Sequence, residues 1–438
     1  MDLFKKGIDK IKNLVEKDEL EQAKDYVYKS FDNFKSYYSN FEKAFKIDFE
    51  KCQKGTLTDY SRDLFWFLCL DILPYDKPSS WKQIITDLRS DYVDLKAKIV
   101  KKEVDEFIKL NEKKGSEEYD KFHNILEKED FDLLDLIKID LERTYQDIDL
   151  FKTDKIKTIM IYSLYIYSKN YSELGYKQGM NEICAVFVYV LYRQYKLTTK
   201  FIKGDDSFLY YIFHSNNEFL ENDLYIMYSS FMNKGIYQFY LYSQFKENKL
   251  SAIPLEKKIL LNKEEIDNYE DSIIKKRIYH IFYRLLKNFD IEFYNEIINK
   301  VEPEYFLFKW LLCFLTREFT INKVVHLWDI IFIYDFIDYK LMSGDYNMEY
   351  HFRLIDSIAL SMILCCKNDL MKLKNENDSS FLNLLMHYPE KIKFEQIIKE
   401  ALKIDSIINP DKTIDITKIN TKFFLIIKNF QINEEETE

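Results

Sequence analysis

The scarcity of helix-breaking residues constrains the fold of this chain more than any other feature of its sequence. Its 438 residues include only eight Gly and six Pro, the two residue types that most strongly interrupt an α-helix. Over long windows, apolar residues recur at intervals of three and four, which places them on one face of a helix. The alternating pattern typical of strands is rare. The sequence therefore predicts an all-α protein.

Gly, Pro and polar runs divide the chain into helical segments. Helices are predicted over residues 59–73, 81–110, 120–142, 153–170, 181–195, 205–234, 272–300, 303–316, 322–337, 348–373, 379–388 and 393–404. We expect a helical N-terminal extension over 1–52, one domain over 53–404, and an acidic tail over 405–438 that is partly disordered. Within the domain, the polar stretch 248–269 is predicted to be an insertion.

Charge and hydropathy exclude several classes of function. The chain carries 64 Lys and Arg against 74 Asp and Glu, a net charge of −10, and the two signs are interspersed. We therefore expect no nucleic-acid binding, which needs a clustered basic surface. The N-terminus lacks the apolar core of a signal peptide, and the strongest apolar run, residues 183–192, is about half the length that spans a bilayer. A cytoplasmic protein without membrane insertion is predicted.

The six Cys and six His residues do not follow a metal-binding pattern. The sequence contains neither Cys-x-x-Cys nor His-Glu-x-x-His, the spacings typical of zinc sites. Most of the cysteines lie in apolar runs, so we expect reduced core residues rather than a disulfide framework. The sequence predicts no metal site.

Two short segments carry residues suited to phosphoryl chemistry. Residues 137–143 read I-K-I-D-L-E-R, and they place Asp140 and Arg143 three positions apart on a predicted helix, where the side chains can meet. Residues 175–181 read G-Y-K-Q-G-M-N, and they present Gln178 between two glycines. An arginine that neutralises phosphoryl charge and a glutamine that orients water are the two groups that GTP hydrolysis requires.

Each segment on its own also has an ordinary interpretation. The Asp140–Arg143 pair is more typical of an exposed ion pair worth about 0.3–0.5 kcal/mol. Gln178 between glycines is more typical of a polar turn residue. Its place before a predicted helix, which Asn181 is expected to cap, favours a role near an anion, because helix N-termini attract negative charge.

Taken together, the two segments resemble the paired finger motifs of the TBC domain, the fold of the Rab GTPase-activating proteins. The resemblance covers roughly residues 57–404. Further segments similar to that family are R-D-L-F-W at 62–66, E-F-L-E-N-D-L-Y at 218–225, P-E-Y-F at 303–306, R-E-F at 317–319, L-W-D at 327–329 and L-L-M-H-Y-P at 384–389. Details at 73–77, 176–182 and 317–319 are most similar to the TBC subfamily linked to retromer and late endosomes.

The resemblance implies two helical halves with a cleft, and a GTPase-activating protein for a Rab-family GTPase in its GTP state. Arg143 would stabilise charge between the β- and γ-phosphates, and Gln178 would orient the water. Asp140 would hold the arginine, and Tyr176 would fix the glutamine loop. GTP and Mg²⁺ would belong to the partner, so neither a cofactor of its own nor an independent catalytic activity is expected.

The subfamily resemblance further implies endosomal vesicle traffic, with peripheral recruitment to endosomal membranes and contact with an endosomal coat or retromer. The alternative is a non-catalytic TBC scaffold that binds a GTPase or a trafficking complex. Arg62 and Trp66 are expected to serve the fold. The sequence leaves open which Rab is the substrate, the role of the N-terminal helices, the oligomeric state, and whether retromer or autophagy partners are bound.

Overall fold

The fold is described from a computed structural model of the chain. It describes residues 62–409, except 76, 111–113, 202–218, 245–271, 342–350 and 375–377, and a few residues before Arg62, namely 47, 48, 50–52, 55 and 57. Every regular element within these ranges is a helix, and none of the described residues forms a strand. The predicted all-α class is therefore confirmed.

The helices are labelled here in chain order. They are α1 (Arg62–Cys69), α2 (Trp81–Ile99), α3 (Lys102–Lys109), α4 (Glu117–Ile125), α5 (Lys128–Glu142), α6 (Asp154–Asn170), α7 (Met180–Phe201), α8 (Leu220–Asn233), α9 (Ile273–Tyr279), α10 (Ile291–Ile297), α11 (Glu304–Leu312), α12 (Ile321–Leu341), α13 (Leu354–Cys365), α14 (Lys367–Lys372), α15 (Asp378–Met386) and α16 (Phe394–Ile408). A π-helical segment, His280–Leu286, extends α9 and leads into a short α-helical turn, Lys287–Phe289. 3₁₀ helices lie at Pro78–Ser80, Asp149–Lys152 and Ile236–Gln244.

Two helices that the sequence predicts as continuous are interrupted. The predicted helix over 81–110 breaks after α2, where Val100 is extended at φ −90° and ψ 97°. The predicted helix over 120–142 breaks between α4 and α5, where Leu126 is extended at φ −84° and ψ 153°. Neither break contains Gly or Pro, and both side chains pack against the core. Tertiary packing therefore overrides local helix propensity at both positions.

Other predicted helices also end early or are divided. The one over 272–300 is divided at Asp290, which has a non-helical backbone at φ −155° and ψ 82° and directly precedes α10. The one over 59–73 ends at Cys69, because Asp71 takes a left-handed backbone at φ 57°. The one over 348–373 is divided at Cys366 into α13 and α14. Most of the 1–52 extension, the first part of the helix predicted over 205–234, the 248–269 insertion and most of the 405–438 tail lie outside the described residues.

An aromatic cluster joins the two halves of the chain. The first half contributes Trp66, Phe187 and Phe231, from α1, α7 and α8. The second half contributes Trp328 and Phe332 of α12, and all five side chains are fully buried. Ring centroids lie 5.0 Å apart for Trp66 and Phe332, and 5.4 Å apart for Phe231 and Trp328. Such ring pairs add stability beyond the area that they bury, so the cluster fixes how the halves meet.

A buried ion pair reinforces the same junction. Nε of Arg62 lies 3.0 and 3.1 Å from the two carboxylate oxygens of Asp329, and the same guanidinium donates to the carbonyl of Leu57 at 2.6 Å. The indole N–H of Trp66 also donates to Asp329, at 2.8 Å. Because Asp329 is fully buried, its charge requires such partners. Arg62 and Trp66 thus serve the fold, as predicted.

A second buried carboxylate, Asp335, lies six residues after Asp329 on α12. It accepts a hydrogen bond from the backbone N–H of Phe352 at 2.7 Å, and it lies 3.1 Å from Nδ1 of His351 and 3.6 Å from Nζ of Lys234. Burial on its own would raise the pKa of Asp335. Its neighbours, His351 foremost, outweigh burial and hold that pKa below its ordinary value.

The cysteines are free thiols in the core, as predicted: five are buried and Cys365 is half-buried. Burial raises the pKa of Cys313 and that of Cys366 to about 12 each, which makes both thiols unreactive near neutral pH. Within the described ranges, no group of three or more His, Cys, Asp and Glu side chains is arranged to hold a metal ion. In the same part of the chain, no helix combines the length and apolar character needed to cross a bilayer.

Candidate functional site

Arg143 directly follows the last residue of α5. Its side chain is 55% exposed, and its guanidinium contacts Oδ1 of Asp140, one turn earlier on the helix. Asp140 itself is fully buried. The exposed Arg143 guanidinium is therefore bound by the buried Asp140 carboxylate. The charge-assisted hydrogen bond between them restricts the orientation of the guanidinium.

The same carboxylate also binds the second motif. The hydroxyl of Tyr176 donates to Oδ2 of Asp140 at 2.8 Å. Burial, together with the neighbouring Asp140 carboxylate, raises the pKa of Tyr176 above its ordinary value, so the hydroxyl keeps its proton and remains a donor. One buried side chain thus contacts both motifs, 36 residues apart, through its two oxygens.

The loop that carries Gln178 depends on the glycines beside it. Gly175 and Gly179 have φ values of 62° and 104°, which other residues rarely adopt. At Gly179 there is also little room, since a Cβ would lie 3.2 Å from Sγ of Cys313. The loop ends at Met180, where α7 begins, and Gln178 is exposed at its tip.

Asn181 does not cap α7, contrary to the prediction, because the helix already begins at Met180. Its side chain instead joins the two motifs. Oδ1 accepts a hydrogen bond from the backbone N–H of Gly179 at 3.1 Å, and Nδ2 donates to Oγ1 of Thr144 at 2.8 Å. Thr144 follows Arg143 directly, and sequence reasoning assigned it no role.

Two adjoining clefts lie where these motifs face the second half of the chain. Arg143 lines the larger cleft, of about 1000 Å³, together with residues from the segments 316–321 and 386–392. Gln178 lines the smaller one, of about 500 Å³, together with side chains of α11. Lys309 and Arg317 line both clefts, so the two predicted finger residues face neighbouring spaces that share a common wall.

The segment that carries Arg317 has a strained backbone. The predicted helix over 303–316 ends at Leu312, because Phe314 and Leu315 both take left-handed conformations, at φ 50° and 63°. Both side chains are fully buried. Two consecutive bulky residues in this conformation cost energy and persist only where the surroundings impose them. Such strain tends to occur at functional sites.

On the other wall of the larger cleft, the backbone just after the first motif also takes a left-handed conformation. Tyr145 has φ 44°, and its hydroxyl donates to the carbonyl of Thr316 at 3.1 Å. This bond connects the segment after Arg143 with the segment before Arg317. The two walls of the cleft are therefore tied to each other close to the cations that they present.

Five Lys and Arg side chains line the clefts, namely Arg143, Lys177, Lys309, Arg317 and Lys323. Three of them, Arg143, Lys309 and Arg317, differ in how available they are to a ligand. Lys309 lies 2.8 Å from the Glu318 carboxylate, and Arg317 lies 3.3 Å from that of Glu182. Burial raises the pKa of Glu182 above its ordinary value, and the Arg317 guanidinium offsets part of that rise. The side chains of Lys309 and Arg317 are 24% and 32% exposed, against 55% for Arg143. Of these three cations, Arg143 is thus the one best placed to reach an anion.

The chain is similar to known proteins over most of its length. The chain is 25% identical to mouse (Mus musculus) "TBC1 domain family member 5" over 351 residues, which cover 78% of this chain and 40% of that protein. It is 26% identical to the human (Homo sapiens) protein of the same name over 356 residues, covering 78% and 41%. The chain therefore spans about two fifths of the length of these curated relatives.

Among solved structures, the "Ypt/Rab-GAP domain of Gyp1p" matches with a TM-score of 0.55. The match covers 83% of this chain and 93% of that domain at 16% identity, so the likeness is one of fold. The family model for the Rab-GTPase-TBC domain matches residues 59–371, which is well over half of the sequence. The chain predicted to resemble that family therefore belongs to it: it carries a Rab-GTPase-TBC domain.

Proposed function

We propose that this protein is a GTPase-activating protein for a Rab-family small GTPase, and that it supplies Arg143 and Gln178 to the GTP-bound partner. One observation carries the proposal. Both side chains are exposed and line adjoining clefts, while the buried Asp140 carboxylate beneath them contacts both of their motifs. The printed names of the domain family and of the Gyp1p structure also favour a Rab-family partner.

Arg143 acts on the charge that develops as the γ-phosphate leaves. A planar guanidinium can bind two phosphate oxygens at once, which the single ammonium of lysine cannot. In Ras-type systems, which use a different activator fold, such an arginine contributes about 10³–10⁵ in rate, or roughly 4–7 kcal/mol of barrier. The contact with Asp140 orders the side chain before the partner arrives, so less conformational entropy is lost on binding.

Gln178 acts on the attacking water. An amide side chain has a donor end and an acceptor end, so it can hold a water against a phosphate without exchanging a proton. Its loop leads directly into the N-terminus of α7, where backbone N–H groups favour an anion nearby. The partner brings the nucleotide and Mg²⁺, and this chain then requires no cofactor of its own.

The cellular setting rests on the subfamily resemblance. We infer a cytoplasmic protein that is recruited peripherally to endosomal membranes and acts in vesicle traffic there. Contact with retromer or another endosomal coat belongs to the same proposal. The relatives that carry the name TBC1 domain family member 5 support this assignment through their similarity over 78% of this chain.

The test is phosphate release from a panel of GTP-loaded Rab proteins, with and without the full chain. Arg143→Lys should lose at least about 10³-fold of the stimulation, since lysine lacks the guanidinium fork, and Gln178→Ala should lose a comparable part. Arg193→Lys is the matched control, because Arg193 lies on α7, contacts Tyr189 and Asn322, and lines neither cleft.

Three results would count against the proposal. If Arg143→Lys stimulates hydrolysis as well as the parent chain, Arg143 is not the arginine finger. Stable binding of a GTP-loaded Rab without any acceleration favours the non-catalytic scaffold. If no Rab in the panel binds the chain or is activated by it, the proposal of a Rab-family partner is wrong.

A further inference from the structure

Two hydrogen-bonded bridges join the segment that carries Arg143 to the segment that carries Gln178. Along the chain, one bridge lies before both proposed finger residues and the other lies after them. The first bridge, Tyr176 to Asp140, lies before Gln178 and before Arg143 in their segments. The second, Asn181 to Thr144, lies after each of them, and both of its side chains are only 1% exposed. Each finger therefore projects from a short segment that is pinned on both sides.

Hydrogen-bond polarity fixes how the second bridge is built. The only proton of the Thr144 hydroxyl is donated to the carbonyl of Asp140 at 2.8 Å. The hydroxyl can then only accept from Asn181, whose NH₂ group donates to it at 2.8 Å. The remaining end of the Asn181 amide accepts from the backbone N–H of Gly179 at 3.1 Å. A directed series of three bonds thus runs from the residue next to Gln178 to the turn that carries Arg143.

We propose that Thr144 and Asn181 are positioning residues that join the Arg143 and Gln178 segments into one rigid unit. A single bridge leaves two segments free to pivot about it, whereas two bridges on opposite sides fix their relative orientation. The two fingers then approach a nucleotide together, at a separation set before the partner binds. The activity readout rests on the function proposed above, but the mechanical coupling is a property of the free protein.

Isosteric variants separate the bond from the packing. Thr144→Val keeps the shape of the side chain and removes the hydroxyl, while Thr144→Ser keeps the hydroxyl. Asn181→Asp keeps an acceptor for Gly179 but sets a second acceptor against the Thr144 oxygen, whose proton is already used. Ser361→Ala is the matched control, because that buried hydroxyl donates to the carbonyl of Ile397 at 2.8 Å, in the second half of the chain.

The first measurement is amide hydrogen exchange of the full chain without any partner. Thr144→Val and Asn181→Asp should each speed exchange at the Gly179 amide by at least about tenfold, because local opening then requires fewer bonds to break. Thr144→Ser and Ser361→Ala should leave it unchanged, and slowly exchanging core amides show that each variant is folded. If the Gly179 amide exchanges as slowly in both Thr144→Val and Asn181→Asp as it does in the parent chain, the proposal is wrong.

The second measurement separates turnover from binding with a GTPase that the parent chain activates. Misplacing a catalytic group by about 1 Å can cost about 10²-fold, so Thr144→Val should lower kcat by about 10- to 100-fold while KM stays unchanged. Thr144→Ser should restore kcat. Parental kcat in Thr144→Val would refute the positioning role. If the parent chain activates no GTPase, the proposed function fails, and hydrogen exchange still decides whether the two segments are coupled.

Discussion

Replacing Asp140 with Asn separates the orienting of an arginine from the arginine itself. The change keeps the size of a fully buried side chain and removes the charge that holds Arg143. The hydroxyl of Tyr176 can hydrogen-bond to either end of the new amide. We therefore expect Asp140→Asn to fold normally and to leave Arg143 without the charge-assisted hydrogen bond that orders its guanidinium.

The expected loss follows from the freedom that Arg143 would regain. Ordering a long side chain such as arginine costs about 1.5–2 kcal/mol of rotamer entropy. Since about 1.36 kcal/mol corresponds to a tenfold change in rate, Asp140→Asn should lower kcat/KM for GTP hydrolysis by roughly 10- to 30-fold. Loss of the arginine itself should cost about 10³–10⁵. Ordering the guanidinium thus contributes less to the rate of hydrolysis than the arginine itself does.

The assay is phosphate release with the parent chain, Asp140→Asn, Arg143→Ala and the double variant, each checked for folding by thermal unfolding. Because the carboxylate acts through the guanidinium, the double variant should equal Arg143→Ala alone. A well-folded Asp140→Asn that loses as much activity as Arg143→Ala would refute this reasoning, because Asp140 would then act directly on the partner. An Asp140→Asn variant with full activity would show that the tether contributes nothing.

Three further predictions concern the scaffold. Arg62→Met should lower the free energy of unfolding in urea by about 3–5 kcal/mol, because it leaves the buried charge of Asp329 without its counter-ion; a loss below about 1 kcal/mol would contradict the ion pair's structural role. Gly175→Ala should lower the free energy of unfolding by about 1–2 kcal/mol. Gly179→Ala should lower it further, because of these two positions only Gly179 also lacks room for a Cβ. Equal losses would contradict this prediction. Asp335, whose native pKa lies below its ordinary value, contributes stability above about pH 4 that is lost as pH falls through the native pKa. Asp335→Asn should therefore flatten the fall in unfolding free energy below about pH 4, and an unchanged acid slope would show that another group causes it.

Short-range sequence patterns predicted the structural features that depend on interactions between residues close together in the chain. The recurrence of apolar residues identified most of the helices, and the three-residue spacing of Asp140 and Arg143 predicted their contact. The same reasoning missed the breaks at Val100 and Leu126, which contain no Gly or Pro. Those bends arise because both side chains pack into the core, and packing of this kind leaves no signature in a short window of sequence.

The candidate site shows the same division between local and distant interactions. Asn181 was expected to cap a helix, since that preference is local, but it bonds to Thr144, 37 positions earlier in the chain. Arg317 belongs to a segment similar to the family pattern, yet nothing in that segment predicts that it lines both clefts. Its place depends on the left-handed turn at Phe314 and Leu315, where neither residue type favours that conformation.

The ion pair between Arg62 and Asp329 also has a consequence for synthesis. The two residues are 267 positions apart, so at about 5–20 residues per second a ribosome needs roughly 13–53 s to make the second after the first. Throughout that interval the surface of α1 that α12 will cover stays open to water. Contacts this distant also slow folding itself. The nascent first half therefore keeps part of its apolar surface exposed until α12 has been translated.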